Sequence, residues 1–311
     1  MRRGPAIGFA CAVMAFAAVP AIASSTLALA ASAPTLVSVR GDLMTATAAR
    51  GVVNDVSVQL GSTSGTFDVS DTAGVVAGAG CVWTSGNSAE CSGDVGFIQI
   101  HTRDFGDRIV LRDHGSVYLT VDAGAGDDTL TGSNGRDALN GSGGDDVIDG
   151  HAGTDYLDGG PGADVLDGGN GPTDKVYYTA RTEDLHISSD GVANDGAAGE
   201  EDNVLNVEDI LSGSGNDTIV EFSASGFVEG NAGDDTISVA PGATGTLLGG
   251  AGNDSLDAGS SISRLQGGTG NDTLASKNGL GNIDTCGSGT DAVNADTNDQ
   301  VAADCEHVTK S

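Results

Sequence analysis

The chain has 311 residues and a net charge of −31, with 44 Asp and Glu against 13 Lys and Arg, and its length suits one large or two small domains. That acid excess disfavours nucleic acid and anionic membrane surfaces, which need a basic face. Fifty glycines with one Trp, four Tyr and seven Phe argue against a globule around a bulky core and suit a stacked solenoid.

The N-terminus, MRRGPAIGFACAVMAFAAVPAIASSTLALAASAP, sets two arginines before an Ala-rich apolar run with small-x-small sites at Ala21–Ala23 and Ala28–Ala30. This is the pattern of a secretory signal peptide, taken as residues 1–30. Pro20 interrupts the run, which argues against a retained anchor. The product is therefore expected to be secreted and extracellular, without membrane insertion. Loss of the leader removes Cys11 and leaves Cys81, Cys91, Cys286 and Cys305, an even number that suggests disulfides in an exported chain. Three pairings are possible. The simplest is sequence-local: Cys81–Cys91 and Cys286–Cys305.

Residues 34–122 read as short β segments between turns, such as DVSVQL (Asp55–Leu60), FIQIHT (Phe97–Thr102) and RIVLRD (Arg108–Asp113). The reading is a β-rich region that caps the solenoid and leads into it, with a separate β-sandwich as the alternative. DFGDRIVL (Asp104–Leu111) resembles a decayed repeat in which Arg108 replaces the expected Asp.

A nine-residue comb fills residues 123–175: AGAGDDTLT, GSNGRDALN, GSGGDDVID, GHAGTDYLD, GGPGADVLD and a frayed GGNGPTDKV. Its sixth position is Asp128, Asp137, Asp146, Asp155 and Asp164. The fourth is always Gly and the eighth always aliphatic (Leu130, Leu139, Ile148, Leu157, Leu166). Residues 176–211 interrupt it with an insertion whose loop offers Asp195, Glu200, Glu201 and Asp202 as ligands for a metal of its own. The comb resumes over residues 212–294 with Asp217, Asp235, Asp254 and Asp272 in alternate units. Residues 295–311 form a polar tail holding the second half of the proposed Cys286–Cys305 pair.

Glycines let the turns crowd carbonyls inward, and a strand follows each turn. If one nonapeptide makes half a coil, aspartates eighteen residues apart stack one rung apart, roughly 4.7–4.9 Å. Asp128, Asp146 and Asp164 then form one column and Asp137 and Asp155 the opposite one. Carboxylates so stacked repel unless a cation intervenes. A hard cation taking six to eight oxygens suits the slot; calcium fits better than magnesium, and zinc lacks its His or Cys.

At these residues the chain resembles the RTX family of hemolysin-type calcium-binding nonapeptide repeats, G-G-x-G-x-D-x-U-x. The resemblance implies an all-β parallel β-roll or β-helix solenoid, with several Ca2+ ions held in the turns. It gives the ligand role to Asp128, Asp137, Asp146, Asp155, Asp164, Asp217, Asp235, Asp254 and Asp272, and a weaker one to Asp174 and Asp291, which follow insertions. The ending TCGSGTDAVNADTNDQVAADCE is similar to those of secreted actinobacterial members.

No catalytic motif stands beside the comb. The five histidines (His101, His114, His151, His186, His307) form no HExxH, and GSTSG at Gly61–Gly65 puts Thr63 where a nucleophilic Ser belongs. His101 with Asp104 and Asp107 reads as a solvated turn. The expected protein is a secreted, noncatalytic calcium-binding component with a structural or adhesion role, meeting extracellular polysaccharide or cell-envelope components. The alternative is a secreted carbohydrate-active or hydrolytic enzyme with the roll as accessory domain.

Overall fold

A nonapeptide that spends six residues on a turn has three left for a strand, too few to pair with anything but its own repeats. Two nonapeptides bring the chain back to the same face one rung further on. The computed structural model describes residues 35–61, 65–85, 87–112, 117–223, 225–261 and 263–311. The predicted leader, His114 and Thr63 lie outside them.

The described residues form strands and no helix. They build a parallel β-solenoid with two faces. One face is a single 14-stranded sheet; the other is divided into sheets of nine and eight strands. On the long face Tyr118–Ala125 pairs in parallel with Asp137–Gly143, and Asp137–Gly143 with Tyr156–Asp158, so Val121, Leu139 and Leu157 stack in register. Opposite them Leu130, Ile148 and Leu166 stack in the same way. All six are 2% exposed or less. The aliphatic eighth position thus forms a thin core, one side chain deep from each face, and each Leu or Ile buried there contributes about 1.5–3 kcal/mol.

Both faces run on into the N-terminal region. Leu43–Thr47 pairs in parallel with Phe97–Asp104 and antiparallel with Thr35–Arg40. Asp55–Leu60 pairs in parallel with Arg108–Arg112 and antiparallel with Thr66–Asp71. The change to antiparallel hairpins covers the first rung, whose open edge would otherwise invite pairing with another chain. Cys81 and Cys91 face each other on antiparallel neighbours and are disulfide-bonded, as are Cys286 and Cys305 at the far end.

The insertion is where the second face divides. Asn203–Leu205 ends the nine-stranded sheet beside Val165–Asp167, while Leu185–Ser188 starts the eight-stranded one beside Thr218–Glu221. The long face crosses this point unbroken, because Lys175–Tyr177 pairs with Asp209–Leu211. Further on, Leu265 stacks on Asp284 instead of an aliphatic residue. The Asp284 carboxylate is fully buried and accepts the Ser276 hydroxyl at 2.8 Å.

Candidate metal centres

Where a turn ends on the sixth-position aspartate, its backbone and side chain are used in different rungs. The Asp128 N–H donates to Oδ1 of Asp146 at 2.7 Å, the Asp146 N–H to Oδ1 of Asp164 at 2.8 Å, and the Asp164 N–H to Oδ1 of Asp202 at 2.9 Å. On the opposite side the Asp137 N–H donates to Asp155 and the Asp155 N–H to Asp174. In the second block Asp217, Asp235, Asp254, Asp272 and Asp291 repeat the ladder at 2.8–2.9 Å. One carboxylate oxygen per rung therefore fixes the stacking.

The other oxygen points into the turn. Oδ2 of Asp128, Asp146, Asp155, Asp164, Asp235, Asp254 and Asp272 is buried with no hydrogen-bond partner. A buried carboxylate oxygen without a partner costs free energy, and a whole column of them calls for a positive charge. Six of the seven lie over a first-position glycine, the exception being Asp128, whose first position is Ala123: a Cβ on Gly141 would sit 2.1 Å from Asp146 Oδ2 and 2.9 Å from the Gly159 carbonyl of the next rung, and one on Gly230 would sit 2.2 Å from Asp235 Oδ2 and 2.8 Å from the Gly249 carbonyl. The fourth-position glycines bring the rungs equally close. Gly252, at φ +146°, leaves 1.9 Å between a built Cβ and the Gly233 carbonyl. Glycine at both places leaves an oxygen-lined cradle between carboxylate and carbonyl.

A family model described as the RTX calcium-binding nonapeptide repeat matches the chain in four copies, over residues 120–148, 140–172, 226–243 and 248–279. These are RTX repeats. The chain is thus a calcium-binding repeat protein. A search of curated proteins finds no match.

The RTX turns suit the ion. Among the described residues no three His, Cys, Asp or Glu side chains converge on one point, so a zinc-type cluster is not what these turns offer. Carboxylate and main-chain carbonyl oxygens are what calcium takes, and an irregular cradle of them suits it better than magnesium. Without a cation, burial pushes Asp146 up to about 7 and Asp155 and Asp164 up to about 8, and the charges of neighbouring rungs add to the effect. Burial also holds Asp235 at about 7 and Asp128 and Asp254 at about 6.

The nine predicted ligands divide into seven and two. Asp137 has both oxygens engaged, accepting the Leu119 N–H, the Ser133 N–H and the Ser133 hydroxyl. Asp217 accepts the Leu185 N–H on Oδ1 and the Ser212 hydroxyl on Oδ2. In these two turns a serine satisfies the second carboxylate oxygen. Conversely, Asp174 and Asp291 carry the same unpartnered Oδ2 as the seven.

Asp107 does so too, which shifts the phase expected from the sequence by one residue. Arg108 does not replace the aspartate: Asp107 holds the sixth position, its N–H donating to Asp128 Oδ1 at 2.6 Å, while Arg108 lies outward beside Asp55. The signal was present, since Asp107 precedes Ile109 by two residues as Asp128 precedes Leu130, and Ile109 and Leu130 are in register.

Of the four acids named in the insertion, Asp195, Glu200 and Asp202 are satisfied by protein and Glu201 is exposed. Asp202 accepts the Asp164 N–H and the Tyr178 hydroxyl, and Asp195 accepts Ser188 through N–H and hydroxyl and the Val204 N–H. Glu200 accepts the Ala197 N–H and pairs with Arg181, whose guanidinium also donates to the Gly160 carbonyl at 2.8 Å. Arg181 is thus a built-in cation where the first column ends. Of the three residues read as a solvated turn, His101 lies 3.5 Å from Asp122, Asp104 accepts the Gly51 N–H, and Asp107 is buried in the ladder. His151, at φ +74°, is a turn residue, and His186 lies in the strand Leu185–Ser188.

Proposed function

We propose that this calcium-binding repeat protein is secreted, is noncatalytic, and serves outside the cell as a structural or adhesion component whose roll is completed by calcium. The observation that carries the reading is the column of buried carboxylate oxygens with no protein partner, which makes a cation part of the core. An exported chain meets calcium on leaving the cell, and binding confined to the folded state makes metal affinity a part of folding free energy. Two disulfides and the leader-like N-terminus support export.

The oxygens of Asp128, Asp146, Asp155, Asp164, Asp235, Asp254 and Asp272, with first-position glycine carbonyls, would hold the ions. Bound calcium supplies positive charge between rungs; the protein supplies the spacing, through the Oδ1 ladder, and exclusion of water by burial. For a polysaccharide or envelope partner, the long face offers an outward row of Phe97, Tyr118, Arg136, Tyr156 and Tyr177, in which Arg136 lies 4.4 Å from the Tyr156 ring centre and Tyr156 stacks on Tyr177 at 5.6 Å. Such rings supply apolar area on an otherwise acidic surface.

Far-ultraviolet circular dichroism with calcium and with chelator tests the coupling: β structure should appear on calcium addition, and an unchanged spectrum would overturn it. A screen of polysaccharides tests the noncatalytic role. Binding without turnover is expected, and turnover of any of them contradicts it.

A further inference from the structure

In most ladder turns, such as those of Asp146 and Asp235, the carboxylate comes from position six and lies over a glycine at position one, five residues earlier. One turn reverses this order. Residues 221 and 226 stand where Gly and Asp belong, on the side of the roll that carries Asp155 and Asp174, and they are Glu221 and Gly226. The nonapeptide pattern passes over this unit because its sixth position is glycine.

The structure fills the same space from the other end. A Cβ on Gly226 would sit 2.6 Å from Cδ of Glu221, 2.7 Å from the Glu208 carbonyl and 2.7 Å from the Ser223 hydroxyl oxygen. Glutamate, one methylene longer than aspartate, reaches across from position one to the place where an Asp at position six would put its carboxylate. Glycine at 226 is what leaves room for it.

The two oxygens of Glu221 are divided like those of the ladder aspartates. Oε1 accepts the Ser223 N–H and the Ser189 hydroxyl, while Oε2 is buried with no hydrogen-bond partner, on a residue that is 0% exposed. The neighbouring acid, Asp209, is neutralised by Lys175. Among the described residues no cationic side chain is paired with Glu221.

We propose that the turn formed by Glu221 and Gly226 is a further cation site, an inverted counterpart of the regular turns, in which a hard divalent cation, calcium in this protein, binds Glu221 Oε2 with the Ser223 hydroxyl and the Glu208 carbonyl. It rests on the calcium reading of the regular turns. It extends metal binding on the second side of the roll beyond Asp174, to a unit without the sixth-position aspartate.

The test counts calcium ions by equilibrium dialysis of the full oxidised chain, with circular dichroism to confirm the fold. Glu221→Gln keeps the shape and the hydrogen bonds to Oε1 but removes the charge, and is expected to bind one ion fewer than wild type. The double variant Glu221→Gly with Gly226→Asp restores the regular order and is expected to recover the lost ion. A folded Glu221→Gln chain with the wild-type count overturns the proposal. Where a variant does not fold, a crystal structure of the wild-type chain grown in calcium decides: an ion bonded to Glu221 Oε2 is required, and an Oε2 bonded only to protein or water overturns the site. If wild type binds no calcium at all, the reading of the regular turns fails as well; calcium in the Asp columns but not at Glu221 removes this site alone.

Discussion

Replacing Asp146 by Asn should change stability in opposite directions with and without calcium. Asp146 is fully buried, and its Oδ1 accepts the Asp128 N–H at 2.7 Å, a bond that the Asn carbonyl can keep. The Asn amide would take the place of the unpartnered Oδ2, within reach of the Gly159 carbonyl that shares the cradle over Gly141. In the metal-free roll the carboxyl is raised from 3.8 to about 7. Holding it ionised at pH 8 therefore costs on the order of 4 kcal/mol, an upper bound because neighbouring carboxylates titrate together. Asp146→Asn removes that cost, so in chelator at pH 8 the variant should be more stable than wild type. In millimolar calcium it has lost a charged ligand and should be less stable. Urea denaturation followed by circular dichroism in both buffers reads the two signs. A variant destabilised in both would mean that the buried charge carries no cost in the metal-free roll and would refute the reasoning.

Because burial raises the folded-state pKa of the column carboxyls, to about 6 for Asp128 and Asp254 and about 8 for Asp155 and Asp164, the folded chain binds protons more tightly than the unfolded one. Metal-free stability should then fall as pH rises from 5.5 to 8, as thermal melts in chelator can show; a rise over that range contradicts the assignment. Gly252→Ala places a methyl 1.9 Å from the Gly233 carbonyl at φ +146° and should cost several kcal/mol, whereas Gly279→Ala, at φ +83° with nothing within 4 Å, should cost about 1 kcal/mol. Equal melting temperatures for the two would refute close stacking of the turns. Arg181→Met leaves Glu200 and the Gly160 carbonyl without their cation and should destabilise the chain by about 3–5 kcal/mol. That loss should persist at saturating calcium; complete rescue by calcium would mean that Arg181 is no substitute for the ion. Reduction of Cys286–Cys305 should release the last strands and lower stability by about 3 kcal/mol, measured as hydrogen exchange in residues 283–310.

The roll was legible in the sequence because its period fixes both strand and turn. Leu130, Ile148 and Leu166, spaced by eighteen, stack as that spacing requires. The carboxylate columns follow from the same phase. What the comb did not reveal lay in side-chain pairing. Asp137 and Asp217 occupy the ligand position, yet Ser133 and Ser212 take their second oxygens, and a serine in a turn of this kind is no warning by itself. Asp107 was overlooked because the arginine after it disturbed the pattern, although its distance to Ile109 was correct. Glu221 was invisible for a geometric reason: its carboxylate enters the turn from the other end, which only the position of the Gly226 Cα discloses. The insertion's acids looked like a metal site in composition, but Tyr178, Arg181 and Ser188 come from strands and turns whose closeness the linear order hides.

A calcium titration of the oxidised chain, with bound ions and β ellipticity read on the same samples, bears most directly on the claim that cations complete this core. Several ions should bind, with ellipticity rising as they do. A chain with full β ellipticity in chelator that binds no calcium would contradict the claim.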